Sequence, residues 1–316
     1  MSEKLYVVTP IFNPRNFRRR IQLYHEFKKY LACEEDVVLI TVEVAFADRP
    51  FECTDPSNPF DLQLRSDQDL WHKEKCINLG IQHLLRLVPD AKKVAWIDAD
   101  VRFTNVHWVK DTLEALEHYE VVQLFSYTMG LRPDYVNLGG IGGGVFFNFC
   151  NKIFPKPEER RGTYGENIAL GHPGLAWSAT IEALDKLGGL IDFCIMGSGD
   201  SHLCNALMGD VDSYYNTRKP AEGLTKAFHK YQEKAKLIKK NVGYIDGICI
   251  HYWHGKMNLR GYEEKWNIIC DHGFDPYEDI YVGANGLYKW TGNKKALEHD
   301  LRHSSMQRNE DSIDWR

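Results

Sequence analysis

The period of the apolar positions changes repeatedly along this chain, and each change marks an element. Leu5-Tyr6-Val7-Val8 is a short apolar run of the kind that forms a buried strand, halted by Thr9-Pro10. Asn13-Pro14 then makes a turn before a helix from about Asn16 to Tyr30. Asp36 to Val44 is a second β-rich run, and Leu62 to Leu64 is a brief strand after an irregular stretch reaching Phe60. Asp69 to Leu87 reads as a long helix and Lys93 to Ile97 as a strand. His107 to Tyr119 is helical by the spacing of Trp108, Leu113 and Leu116, and Val121 to Phe125 is the next strand. Strand alternating with helix predicts an α/β fold, a mostly parallel sheet flanked by helices on both faces.

Beyond Ser126 the rhythm is lost. Gly139-Gly140-Ile141-Gly142-Gly143-Gly144 suggests a flexible connection, because it lacks the Lys and Ser/Thr of a phosphate-binding P-loop and the spacing of a dinucleotide turn. Ser178 to Leu187 predicts a helix stopped by Gly188-Gly189, and Leu224 to Lys240 another. Ile248 to Trp253 reads as a strand and Tyr262 to Cys270 as a helix, and the polar tail from about Leu301 is expected to be loose.

The run Val94-Ala95-Trp96-Ile97 stops at Asp98-Ala99-Asp100. Alternation along a strand places Asp98 and Asp100 on one face, so a strand end aims both acids at one point. Two such carboxylates repel unless a cation lies between them. A divalent ion that also holds a diphosphate fits, and hard oxygen ligands suit Mg²⁺ or Mn²⁺. The plainer alternative is a helix cap or a solvated turn. In open parallel sheets ligands bind outside the carboxyl ends of the strands. Thr9-Pro10 and the paired acids both sit at such ends, so one crevice collects both.

Composition excludes more than it selects. With 316 residues, 43% hydrophobic and 26% charged, the chain is ordinary globular protein able to bury a large core. A formal charge of −5 gives no global attraction to nucleic acid or anionic membrane. The eight cysteines form no Cys-x-x-Cys pair and lie mostly in apolar stretches, which reads as reduced thiols and a cytoplasmic chain. No apolar run approaches the roughly 20 residues of a membrane span.

Five segments in order resemble the GT-A-fold glycosyltransferases, of a bacterial and phage type related to family-2 and galactosyltransferase-like enzymes. They are Val7 to Pro14, Trp71 to Asn78, Val94 to Val101, Gly174 to Trp177 with Leu187-Gly188-Gly189 and Gly197-Ser198-Gly199-Asp200, and His251-Tyr252-Trp253-His254-Gly255. The resemblance implies one GT-A domain over residues 1–300, with a nucleotide-sugar-binding half (1–126), an acceptor-side and metal-completing half (127–300) and a polar tail (301–316). It implies transfer of a sugar from a nucleotide-sugar donor, a UDP-sugar above all, to an acceptor hydroxyl, with Mn²⁺ or Mg²⁺ stabilising the departing diphosphate.

By the same resemblance Asp98 faces the ribose or the metal and Asp100 the metal directly, so Asp98, Asp100 and His254 are the expected metal ligands, with His251 second in line for the histidine. A continuous strand puts His251 and His254 on opposite faces, so both reach one ion only if the strand ends between them. Thr9, Pro10, Trp71, Lys73, Asn78 and Arg260 are expected at the donor, Arg260 because its fork suits phosphate oxygens. Trp177 would wall a sugar ring, and Asp200 would be the base of an inverting transfer. Asp200 also reads as the N-cap of a helix from Ser201 to Leu207.

The leading acceptor is a carbohydrate or small hydroxylated molecule. Lys226, Lys230 and Lys234 recur on one helical face, and Arg15, Arg18, Arg19 and Arg20 form a second basic cluster. These admit a phage-type enzyme acting on hydroxymethylated DNA bases. A non-catalytic nucleotide-sugar-binding module is the reading from another class, opposed by the retained acids.

Overall fold

The computed structural model describes residues 3–154, 156, 169–213 and 218–314. The strands in chain order are β1 (Leu5–Phe12), β2 (Val37–Phe46), β3 (Asp61–Ser66), β4 (Lys93–Ile97), β5 (Val101–Phe103), β6 (Val121–Gln123) and β7 (Tyr127–Leu131), followed by β8 (Leu138–Gly143), β9 (Ala176–Thr180), β10 (Val242–Tyr244), β11 (Ile248–His251), β12 (Ile280–Val282) and β13 (Tyr288–Trp290). The helices are α1 (Arg18–Leu31), α2 (Lys73–Leu87), α3 (Trp108–Ala115), α4 (Val145–Cys150), α5 (Ile181–Leu187), α6 (Gly199–Met208), α7 (Glu222–Ala235), α8 (Tyr262–Asp271) and α9 (Lys295–Met306).

Seven strands form the central sheet in the order β10-β6-β9-β4-β1-β2-β3. All neighbours run parallel except β9, which is antiparallel to both β4 and β6. Side-chain alternation along β4 shows why the sheet has layers on both sides. Val94 and Trp96 join the apolar cluster that packs under α2, α5, α6 and α7, while Ala95 and Ile97 join the one under α1 and α3. Gly80 lets α2 lie close on the sheet, since a Cβ there would stand 2.6 Å from Val8 and 2.8 Å from Val42.

Several expectations change. The strand expected to stop at Val8 continues to Phe12, because only β2 flanks β1 beyond that point, and an edge tolerates Pro10. Ser178 opens no helix: residues 176–180 are the strand between β4 and β6, and α5 begins at Ile181 with Thr180 capping it. The glycine-rich segment is no free connection either. Residues 138–143 pair with β7, and β5-β11-β7-β8 make a second sheet. Strands β9 and β10, which follow residue 126, share one sheet with β1, β2, β3, β4 and β6.

The tail is the largest correction. α9 carries the chain to Met306, and Glu310 beyond it is 1% exposed, paired with Arg20 and Arg308. The Asp311 carboxylate accepts the backbone N–H groups of Arg18 and Arg19 at the start of α1, and the Trp253 indole donates to the Ser312 carbonyl. Among the described residues no helix is long and apolar enough to cross a membrane.

Candidate active site

A cavity of about 870 Å³ opens outside the carboxyl ends of β1 and β4, lined there by Pro10, Phe12, Asp98 and Asp100. The acids occupy the turn between β4 and β5, which is clamped on both flanks. Asp98 N–H donates to the Leu175 carbonyl at 2.8 Å, and Tyr252 N–H donates to the Asp100 carbonyl at 2.9 Å. Leu175 and Ser198, both at the rim, hold left-handed backbone (φ 78° and 69°), a local strain that the packing around them maintains.

The two acids have different partners. Asp98 receives the Lys73 ammonium on both oxygens, at 2.8 and 2.9 Å, and the same ammonium lies 4.0 Å from Asp200. Burial raises the Asp98 carboxyl, with Asp100 and Asp200 adding to the shift, while Lys73 works against it. Asp100 turns the other way. Its Oδ2 lies 3.1 Å from His254 Nε2 and 3.8 Å from His251 Nε2, and the two imidazole nitrogens are 3.1 Å apart. Burial opposes ionisation of Asp100, but His254, His251 and Arg260 together hold it well below the usual carboxylate range. Burial also pushes His254 well below an ordinary imidazole.

β11 ends at His251, so the strand does end between the two histidines and the chain turns His254 back toward the same point. Asp100, His251 and His254 are the described group whose ligand atoms all lie within 4.8 Å of one another. Asp98, expected among the ligands, is engaged by Lys73 instead, and His251 stands in the cluster. The group fits a cation. Ligands about 2.1 Å from a common ion stand roughly 3 to 4 Å apart, as these three do, and Asp100 Oδ1 is buried without a hydrogen-bond partner.

Other expected residues divide into those inside the cavity and those beneath it. Trp71, Arg260 and Asp200 line it. Arg260 Nη2 is 2.9 Å from His254 Nε2. Asp200 lies in the first turn of α6 rather than at its N-cap, which is Ser198, and its Oδ1 accepts only the neighbouring Ser201 N–H. Thr9 is buried, its hydroxyl donating to the Ile97 carbonyl, and so braces β1 against β4. Asn78 is spent on Leu190 and Asp192. Trp177 is packed in the core against Trp96 and Phe146, its indole N–H on the Pro173 carbonyl. None of these three borders the large cavity.

The sequence reading missed much of the lining. Glu74, one residue after Lys73, is 5% exposed, and burial pushes its carboxyl up to about 8 although Lys73 opposes the shift. His172 is lowered to about 4 by burial. Lys265, Arg308 and Glu310 border the cavity too, as does Arg20, expected only as part of a basic cluster. Only Glu74, inside the quoted Trp71 to Asn78 segment, had a signal that could have found it. Of the two basic clusters, Lys226, Lys230 and Lys234 are exposed on α7 and line no part of the cavity, whereas Arg20 borders it. Arg15 pairs with Asp69, the Arg19 guanidinium donates to the Tyr135 hydroxyl, and Arg20 is held by Glu310.

No family model and no curated protein matches the sequence. Among solved structures the chain is similar to residues 1–349 of S. aureus TarS, at 11% identity over 96% of this chain and 72% of that one, with a TM-score of 0.43. It is also similar to the catalytic domain of Drosophila beta1,4-galactosyltransferase 7 in complex with xylobiose (12% identity, 70% and 67% coverage, TM-score 0.32). A third is a glycosyltransferase involved in glycosylation of the major capsid of PBCV-1 (10% identity, 96% and 99% coverage, TM-score 0.31). These identities and TM-scores are low, and the site stands on its own geometry.

Proposed function

We propose that this chain is a metal-dependent glycosyltransferase that moves a sugar from a nucleotide-sugar donor to an acceptor hydroxyl. The observation that carries the reading is the convergence of Asp100, His251 and His254 on one point of a cavity that also holds the Lys73, Asp98 and Asp200 cluster. A bare binding site has little use for this many opposed charges at the end of a sheet, so the non-catalytic module is the weaker reading. The DNA alternative gains no support, because the exposed lysines line no part of the cavity and Arg15, Arg19 and Arg20 are already engaged.

Asp100, His254 and His251 would hold the cation. Two imidazoles suit Mg²⁺ poorly, so of the expected pair the donor set favours Mn²⁺. Bound there, the ion would supply Lewis-acid stabilisation to a departing diphosphate. Arg260, whose guanidinium leans on His254 Nε2 here, would turn to a phosphate oxygen once that nitrogen is ligated. Pro10 and Trp71 would border the donor, and Lys73 would hold Asp98 oriented toward it. Asp200 is the proposed base, taking the proton of the attacking hydroxyl on its carboxylate in an inverting transfer. The acceptor is proposed to be a carbohydrate or small hydroxylated molecule.

Mn²⁺ titration followed by electron paramagnetic resonance, paired with donor hydrolysis across a set of nucleotide-sugars, tests the reading. Saturable binding lost in Asp100→Ala, together with Mn²⁺-stimulated hydrolysis of one donor, supports it. Wild-type affinity for Mn²⁺ in Asp100→Ala would remove the metal role.

A further inference from the structure

Lys265 is 8% exposed, borders the cavity, and among the described residues has no hydrogen-bond or ion-pair partner. A buried ammonium without a counter-ion is costly unless a ligand supplies one. Its surroundings supply none. Glu264 beside it is exposed, and Glu310 is already held by Arg20 and Arg308. Arg308 borders the same cavity and lies across the face of Trp71, 5.5 Å from the ring centre. Arg260, also 8% exposed, has a buried Nε without a partner. Four cations, Arg20, Arg260, Lys265 and Arg308, border the cavity here, against the already paired carboxylate of Glu310 and the exposed one of Glu263.

From this imbalance we infer a second anion subsite, built by Lys265 of α8 and Arg308 of the tail, that takes a phosphate group of a bound substrate apart from the metal-held position. Its geometry suits a phosphate: Arg308 offers a planar fork and Lys265 a point charge, and the surrounding low dielectric strengthens both. Burial and the nearby Arg308 lower the Lys265 ammonium to about 8, as expected of a cation that lacks its anion. Which substrate bears the phosphate, donor or acceptor, rests on the transferase reading. The existence of the subsite does not.

Calorimetric titration of the full chain with inorganic phosphate and pyrophosphate in EDTA tests the subsite without the metal. Wild type is expected to bind, Lys265→Met to bind about tenfold or more weakly, and Lys265→Arg to recover affinity. Absence of binding by wild type, or equal affinity in Lys265→Met, overturns the proposal. Lys265→Gln, checked by circular dichroism, replaces Lys265→Met if that variant misfolds. Mn²⁺ binding is expected to survive in Lys265→Met, and phosphate binding in Asp100→Ala, so the two readings fail independently. Titration with UDP and with glucose 6-phosphate separates the sources, since the subsite serves whichever ligand loses affinity in Lys265→Met.

Discussion

His251 and His254 bring their Nε2 atoms to 3.1 Å, although a continuous strand would point them to opposite faces. The strand stops at His251, and the turn that follows delivers the second imidazole nitrogen to Asp100. Two histidines and one carboxylate therefore meet because an element ends where it does.

Each imidazole of that pair is expected to matter to the same ion. His251→Ala and His254→Ala should each weaken Mn²⁺ binding by about tenfold or more, since even outer-shell changes cost that much at metal sites. Paramagnetic titration reads this directly. A His251→Ala variant with wild-type affinity would leave His254 and Asp100 as the only ligands.

Asp200→Asn should lower turnover by roughly a hundredfold to ten-thousandfold, the range for a general base, with donor affinity retained. Because Asp200 is not the N-cap of α6, its melting temperature should stay near wild type. A variant that loses stability and keeps its rate would make the carboxylate a structural group.

Glu74 makes stability depend on pH. Its carboxyl is raised to about 8 by burial, so the folded state favours the protonated form. The associated stability is complete below the unfolded value near 4.5 and is lost as pH rises through 8, by up to about 1.4 kcal/mol per unit. Urea denaturation across this range should show the decline in wild type and a flatter profile in Glu74→Gln.

Glu310 acts in the opposite sense. Burial would raise its carboxyl, but Arg20 and Arg308 outweigh that and hold it at about 2. Its contribution is present above the unfolded value near 4.5 and is lost as pH falls toward 2. Glu310→Ala leaves two half-buried guanidinium groups without their carboxylate and should cost about 3 kcal/mol at neutral pH, the lower end for breaking a buried pair. Chemical denaturation measures this, and a loss below about 1 kcal/mol would mean the tail contributes little to the fold.

Asn78→Ala should cost about 1 to 3 kcal/mol through its bonds to Leu190 and Asp192, while the donor KM stays at the wild-type value. A raised donor KM with unchanged stability would return Asn78 to the donor site.

Burial of parallel strands and of helical faces leaves a periodic apolar trace, and that trace made the layered α/β arrangement legible as far as β6, with β5 excepted. The paired acids Asp98 and Asp100 were legible because they end an apolar run, whereas Lys73, Asp200, Arg260 and both histidines were suggested by the resemblance of the segments that carry them. Tertiary structure alone decided which of them meet. Asp98 went to Lys73, and Asp100 to the histidines, because antiparallel pairing of β5 with β11 sets the acid-bearing turn beside the end of the His251 strand. Strand β9 was hidden for a similar reason: its place between β4 and β6 comes from long-range pairing, which leaves no local period of its own. The tail's role was equally invisible, because Arg308 and Glu310 are as polar as a loose terminus, and Glu310 is buried, with Arg308 half-buried beside it, only through the partners that the fold brings to them.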